Sequence, residues 1–286
     1  MTDYTSGKLM IQIGKTYTLD VVKQVNFGFY LNAHELGQVL LPNKLAPKEC
    51  QVGDQVEVFL YLDSEDMVIA TTQKPKAQVG QFALLKAVAI GRFGAFLDWG
   101  LDKDLLLPFA EQSRQAEEGR SYLVYVHTNR ADDRIVASAK IDKFLDKTPA
   151  RYKVGQQVNI IIAGTTDLGY KAIVEHKHTG VIYQNEVFKK LRFGQSLKAY
   201  IKQVRSDGKI DLQLQRGSKA ELDQFSSQIL TKLRQAGGFL PLTDKTDADV
   251  IYAELGMSKK AFKKSIGGLY KQGQLTIEDN GLRLVE

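Results

Sequence analysis

Three glycines impose a repeating frame on this chain. Gly28, Gly94 and Gly169 each follow a segment rich in aliphatic residues, at positions 21–25, 85–90 and 158–162. Fourteen residues beyond each glycine the chain reaches an apolar strand end, at 40–42, 106–108 and 181–183. Twenty-five residues beyond it stands a second glycine: Gly53, Gly119 and Gly194. Two matched offsets in three copies define an internal repeat, which any fold assignment must satisfy first. After the second glycine each copy continues with an alternating strand (55–61, 122–126, 197–201), a polar turn and a closing strand (67–71, 134–138, 209–214). Short strands separated by Gly and Asp turns predict an all-β unit of about five strands. A five-stranded Greek-key barrel, the OB fold, fits that pattern best.

The tail changes character. Between Lys219 and Gln235 the apolar residues Leu222, Phe225, Ile229, Leu230 and Leu233 recur at helical spacing, and Gly237-Gly238 ends the run. A second helix is expected from Asp247 to Leu255. A third follows, N-capped by Ser258, with Phe262, Ile266 and Leu269 facing inward. A hairpin across Asp279-Asn280-Gly281 completes the order of a winged helix-turn-helix. The expected class is therefore mainly β with a small α+β C-terminal domain. Three tandem five-stranded OB-fold barrels (1–75, 76–148, 149–217) precede a winged helix (218–286).

Composition narrows the functional classes. The 286 residues include a single cysteine, Cys50, which excludes an internal disulfide framework and any multi-thiolate metal site. No apolar run approaches the roughly 18 residues of a membrane span, and the start Met-Thr-Asp-Tyr carries no signal-peptide pattern. A cytoplasmic, unprocessed protein without membrane partners is expected. The net charge of +6 is unevenly spread: −3 over 1–75, +1 over 76–148, +7 over 149–217 and +1 over 218–286. The third repeat holds the electrostatic footprint for a polyanion.

OB barrels bind single strands with rings that stack on bases beside cations that follow the backbone. Phe27 and Tyr30 in repeat one, and Phe93 and Phe96 in repeat two, are ring candidates. Residues three apart on a straight strand face opposite sides, so a shared platform requires a bend or bulge. In repeat three Lys189, Lys190 and Arg192 precede Gly194, and Lys198, Lys202, Arg205 and Lys209 follow it. Lys198, Tyr200 and Lys202 share one strand face, placing a ring between two cations. The third helix of the tail carries Lys259, Lys260, Lys263, Lys264 and Lys271. Lysines near a helix start favour phosphate contact over base reading.

Phe93-Gly-Ala-Phe-Leu, followed at a fixed interval by an apolar strand and a Gly, resembles the RNA-binding repeat of ribosomal protein S-one. The resemblance implies that Phe93 and Phe96, and likewise Phe27 and Tyr30, contact bases. The family's usual His on the next strand is replaced by Pro42 and Pro108. Repeat three has Leu168-Gly169-Tyr170-Lys171 instead of two rings, and Lys171 joins the RNA-binding candidates. The long motif from Phe93 to Pro108, the Asp63-Ser-Glu-Asp turn leading to Ala70-Thr71-Thr72, the three repeats and the terminal winged helix together look like the conserved virulence factor B family. That resemblance implies a cytoplasmic RNA-binding regulator of post-transcriptional and virulence functions.

Other chemistry finds little support. His176 and His178 lack nearby thiols or paired carboxylates, so no metal is expected; Trp99 is expected to pack rather than to stack on a base. Phosphate-loop, nucleophile-elbow and HExxH motifs are absent, and Asp98, Asp102 and Asp104 share one loop rather than converging from rigid elements. Neither catalysis nor a cofactor is expected. The leading expectation is a non-enzymatic regulator that binds single-stranded RNA, with the third repeat and winged helix supplying most affinity. The alternatives are a DNA-binding transcription regulator using residues 258–272 and a docking adaptor for a protein of RNA metabolism. The oligomeric state is left open.

Overall fold

In the computed structural model the described residues are 10–129, 132–184, 187, 190–215 and 219–285. The chain divides into two compact units, Met1–Leu145 and Asp146–Glu286. The first contains two barrels. One is built from β1 (Thr16–Val25), β2 (Gly28–Asn32), β3 (Gln38–Pro42), β4 (Gln55–Leu62) and β5 (Val68–Thr71). The other comprises β6 (Phe82–Ile90), β7 (Gly94–Asp98), β8 (Leu105–Pro108), β9 (Ser121–Thr128) and β10 (Ile135–Ser138). The second unit opens with a third barrel of β11 (Gln157–Thr166), β12 (Gly169–Val174), β13 (His178–Tyr183), β14 (Ser196–Val204) and β15 (Ile210–Gln213). All three close in one order, first-second-third-fifth-fourth strand, with the third and fifth parallel. Three closed five-stranded barrels and a small C-terminal α+β region make up the described fold.

The repeat offsets are barrel-closing contacts. Each anchor glycine pairs with the residue fourteen positions on: Gly28 with Pro42, Gly94 with Pro108, Gly169 with Tyr183. The backbones approach so closely that a Cβ would lie 2.4, 2.2 and 2.2 Å from the carbonyl oxygens of Leu41, Leu107 and Ile182. Only glycine fits. The second glycines, at φ of 98°, 82° and 74°, donate to the carbonyls of Val21, Ala87 and Ile162. Immediately after each acceptor the first strand carries a β-bulge, between Val21 and Lys23, Ala87 and Ala89, and Ile162 and Gly164. A bulge bends the strand, here at the same point in each barrel.

β4 is buried on both faces. Val58 and Leu60 fill the first barrel, while Phe59 and Tyr61 point the other way into the core of the second. There Trp99 meets Phe59 edge-on with ring centroids 5.6 Å apart. The unbroken apolar run Val58-Phe-Leu-Tyr-Leu62 is the sequence mark of this double burial. Barrels one and two thus share a core, bordered by Gln78 bonded to Thr16 and Lys44 paired with Asp102 at 2.8 Å.

The tail folds as α1 (Lys219–Gln235), β16 (Phe239–Leu240), α2 (Ala248–Leu255), α3 (Lys259–Lys271), β17 (Leu275–Glu278) and β18 (Gly281–Leu284). Ile229, Leu233, Ile251, Leu255, Phe262, Ile266 and Leu269 bury one helical face each around a single core. Ser258 caps α3, its hydroxyl accepting from the Ala261 amide at 2.9 Å. Gly256, in the left-handed region, ends α2. Two features differ from the sequence reading. The short strand β16 joins the sheet beside β18. Gly281 is already the first residue of β18, paired with Glu278, so the loop itself is Asp279-Asn280. A Cβ on Gly281 would lie 2.3 Å from the Leu240 carbonyl oxygen, so the approach of β16 explains this glycine. No helix among the described residues is long and apolar enough to cross a membrane.

Candidate nucleic-acid interface

Phe93 stands in the turn between β6 and β7, its side chain 66% exposed, where its carbonyl accepts from the Phe109 amide. Arg92 lies 5.6 Å from its ring centre. Phe96, on β7, is half-buried over Gly91, where a Cβ would come within 2.6 Å of the ring. Ala95 between them is fully buried. Both rings line one cleft of about 310 Å³. The bulge expected for a two-ring platform lies upstream in β6. What brings the rings together is the position of Phe93 in the turn, off the strand.

The rest of the cleft includes Leu106, Ile135 and Val136 from barrel two and Tyr61, Leu62, Ser64 and Asp66 from barrel one. Its polar groups Lys103, Asp104 and Arg134 were not among the sequence candidates for RNA contact. The Lys103 ammonium donates to the Leu62 and Asp63 carbonyls, strapping the barrels together. Arg134 donates to Asp66 across the same junction, which raises its pKa above the usual arginine value. Asp104 has no hydrogen bond or ion pair among the described residues; burial and, secondarily, the charge of Asp98 push its carboxyl above the ordinary range. The sequence signal for these three residues was weak, since their proximity depends on the junction between barrels.

In barrel one Phe27 repeats the turn position, 58% exposed, with its carbonyl accepting from Asn43; Tyr30 is half-buried on β2 and Phe29 faces the core. In barrel three the corresponding positions are Leu168, which is exposed, and Lys171, which is half-buried on β12. A ring returns one strand later at Tyr183, the position of Pro42 and Pro108. Lys202 and Arg205 each lie 5.9 Å from its centre. Arg205 also donates to Asp211 at 2.9 Å and to the Tyr183 hydroxyl. These bonds raise the Arg205 pKa and turn that guanidinium toward an acidic neighbour.

On β14 Ala199 and Ile201 are fully buried, so Lys198, Tyr200 and Lys202 lie on the outer side. The Tyr200 hydroxyl accepts from Gln157 at 3.1 Å. A bulge between Ile201 and Gln203 places Lys202 near Tyr183. Lys190 and Arg192 are exposed in the preceding loop, whereas Lys189 lies outside the described residues. On α3, Lys260, Lys263 and Lys264 are exposed and Lys259 is half-buried. The Lys259 ammonium donates to the Lys245 carbonyl and Lys263 pairs with Asp244 at 3.4 Å, so two of these four are drawn toward the loop before α2.

Trp99 is buried, with its indole N–H donating to the Lys103 carbonyl at 2.6 Å, as a packing role requires. Asp98 pairs with Lys76, and Asp102 with Lys44 and Gln73, in structural contacts between neighbouring segments. His178 bonds the Tyr152 hydroxyl at 3.0 Å, and burial lowers the His176 pKa. Among the described residues no group of His, Cys, Asp or Glu side chains is arranged to hold a metal ion.

Comparison with known proteins fits this architecture. Residues 13–73 match the S1 domain and residues 227–284 the CvfB-like winged helix domain. The chain is 28% identical over 284 residues to Uncharacterized protein YitL of Bacillus subtilis (strain 168), covering 94% of this chain and 92% of that protein. It is 22% identical over 246 residues to Conserved virulence factor B of Staphylococcus saprophyticus, covering 83% of this chain and 82% of that one. A solved multidomain protein with nucleic acid binding domains from Streptococcus pneumoniae aligns over 96% of this chain and 98% of its own, at 24% identity and a TM-score of 0.40. The carboxy-terminal domain matches a CvfB-like winged helix and the first barrel an S1 domain, a pairing that suggests nucleic acid binding.

Proposed function

We propose that the protein is a cytoplasmic regulator that binds single-stranded RNA and performs no catalysis on it. The third barrel and the winged helix supply most of the affinity. The observation that carries this reading is the outer side of β14, which carries Lys198, Tyr200 and, beside the Tyr183 ring, Lys202 over a buried Ala199 and Ile201. A ring among cations suits a flexible strand, whose bases expose their faces and whose phosphates follow the groove. The charge distribution supports it, since residues 149–217 carry +7, more than the chain's net +6, and the first repeat is acidic. The lysines of α3 suit phosphate contact rather than the bidentate base contacts typical of Arg, Asn and Gln.

The test is competition binding of labelled single-stranded RNA against duplex DNA at several salt concentrations. Single-stranded RNA should win, and affinity should fall by about 0.7 log units per log unit of salt for each phosphate neutralised. Reversing charge at Lys190, Lys198 and Lys202 should weaken binding more than Phe93→Ala with Phe96→Ala. Preference for duplex DNA would transfer the function to α3 as a transcription regulator. Salt-insensitive binding would remove the electrostatic basis, and nuclease-resistant co-purification with a protein would favour a docking adaptor.

A further inference from the structure

We infer that the cleft between the first and second barrels is a selective pocket for one unstacked guanine base. The inference rests on the RNA-binding reading and adds base choice to it. Phe93 and Phe96 supply rings, Leu106 and Ile135 add apolar lining from barrel two, and Tyr61 and Leu62 add lining from barrel one. A volume of about 310 Å³ is at the small end of ligand sites, suited to one base rather than a stacked run. Bases splayed from a single strand are recognised by such stacking together with hydrogen bonds to their Watson–Crick edges.

The polar inventory supplies the choice. Lys103 is committed to the Leu62 and Asp63 carbonyls, and the Trp99 indole to Lys103. Arg134 donates to Asp66, lies 3.8 Å from Asp132 through its Nε, and keeps its remaining N–H groups for a phosphate oxygen. Asp104 and Ser64 line the cleft with side chains that have no hydrogen-bond partner among the described residues. An ionised carboxylate only accepts hydrogen bonds. Guanine presents two adjacent donors, N1–H and the N2 amino group, to both oxygens of one carboxylate. Adenine and cytosine present one amino donor beside a ring acceptor. Uracil presents one N–H between two carbonyls that a carboxylate repels.

The experiment uses the full-length protein and fluorescence anisotropy with a uridine heptamer and the same heptamer carrying one central guanosine, adenosine or cytidine. The guanosine form should bind roughly fivefold or more tightly, the scale of one good bidentate base contact. Asp104→Asn should abolish that advantage, so that the guanosine and uridine heptamers bind alike, and Phe96→Leu should reduce it. Asp104→Ser provides a second removal of the carboxylate should the asparagine variant not fold. Equal binding of all four heptamers by the wild-type protein would overturn the guanine pocket while leaving the RNA-binding proposal intact. A guanine preference that survives removal of the Asp104 carboxylate would overturn the assignment to this cleft. Absence of binding to every heptamer would overturn both readings.

Discussion

At the scale of single residues, the anchor glycines make the sharpest stability prediction. Gly94→Ala places a methyl 2.2 Å from the Leu107 carbonyl oxygen, on backbone that cannot swing aside. Urea unfolding should show a loss of about 3 kcal/mol, the upper part of the usual overpacking range. Gly119→Ala has open space around its Cβ, so only its left-handed backbone resists, at roughly 1 kcal/mol. Asp104 makes a pH prediction. Its carboxyl is held above the ordinary value, so acidification neutralises it earlier than a typical aspartate. The guanine advantage measured by anisotropy should therefore fade as pH falls, beginning at a higher pH than for a typical aspartate, and should be unaffected on the neutral side. The sequence named Phe93 and Phe96 because rings beside an anchor glycine are a local pattern. It did not single out Tyr183 or Arg134, whose neighbours come from distant positions. Nor did it show Arg205 drawn to Asp211, a contact across the turn between β14 and β15.

At the scale of elements, the alternating patterns and glycine spacings made the barrel strands legible, and helical periodicity marked α1, α2 and α3. The two-residue strand β16 escaped because it has no period to detect, and Gly281 was read as a turn residue because Asn-Gly is a turn signal. The double burial of β4 was also hidden, since an apolar run does not say which barrel receives each face. It has a measurable consequence. Phe59→Ala removes a fully buried ring that meets Trp99 across the barrels, so thermal or denaturant unfolding of the first unit should lose about 3–5 kcal/mol. Near-ultraviolet circular dichroism from Trp99 should change with it, although the substitution lies in the first barrel.

At the scale of the whole molecule, charge and rings are divided between the repeats. The first two barrels expose Phe27 and Phe93 with a near-neutral or acidic balance, while the third replaces the two rings with Leu168 and Lys171 and carries the basic excess. Copies of one fold have thus diverged in the side chains they expose, rings in the first unit and cations in the third barrel. The fused core of barrels one and two limits how that division can be taken apart. Scissors placed at the repeat boundary near residue 75 would strand Phe59, Tyr61 and Trp99 in water, so the smallest heritable module here is a pair, and duplication or loss of a lone copy would leave an adhesive wound rather than a working part.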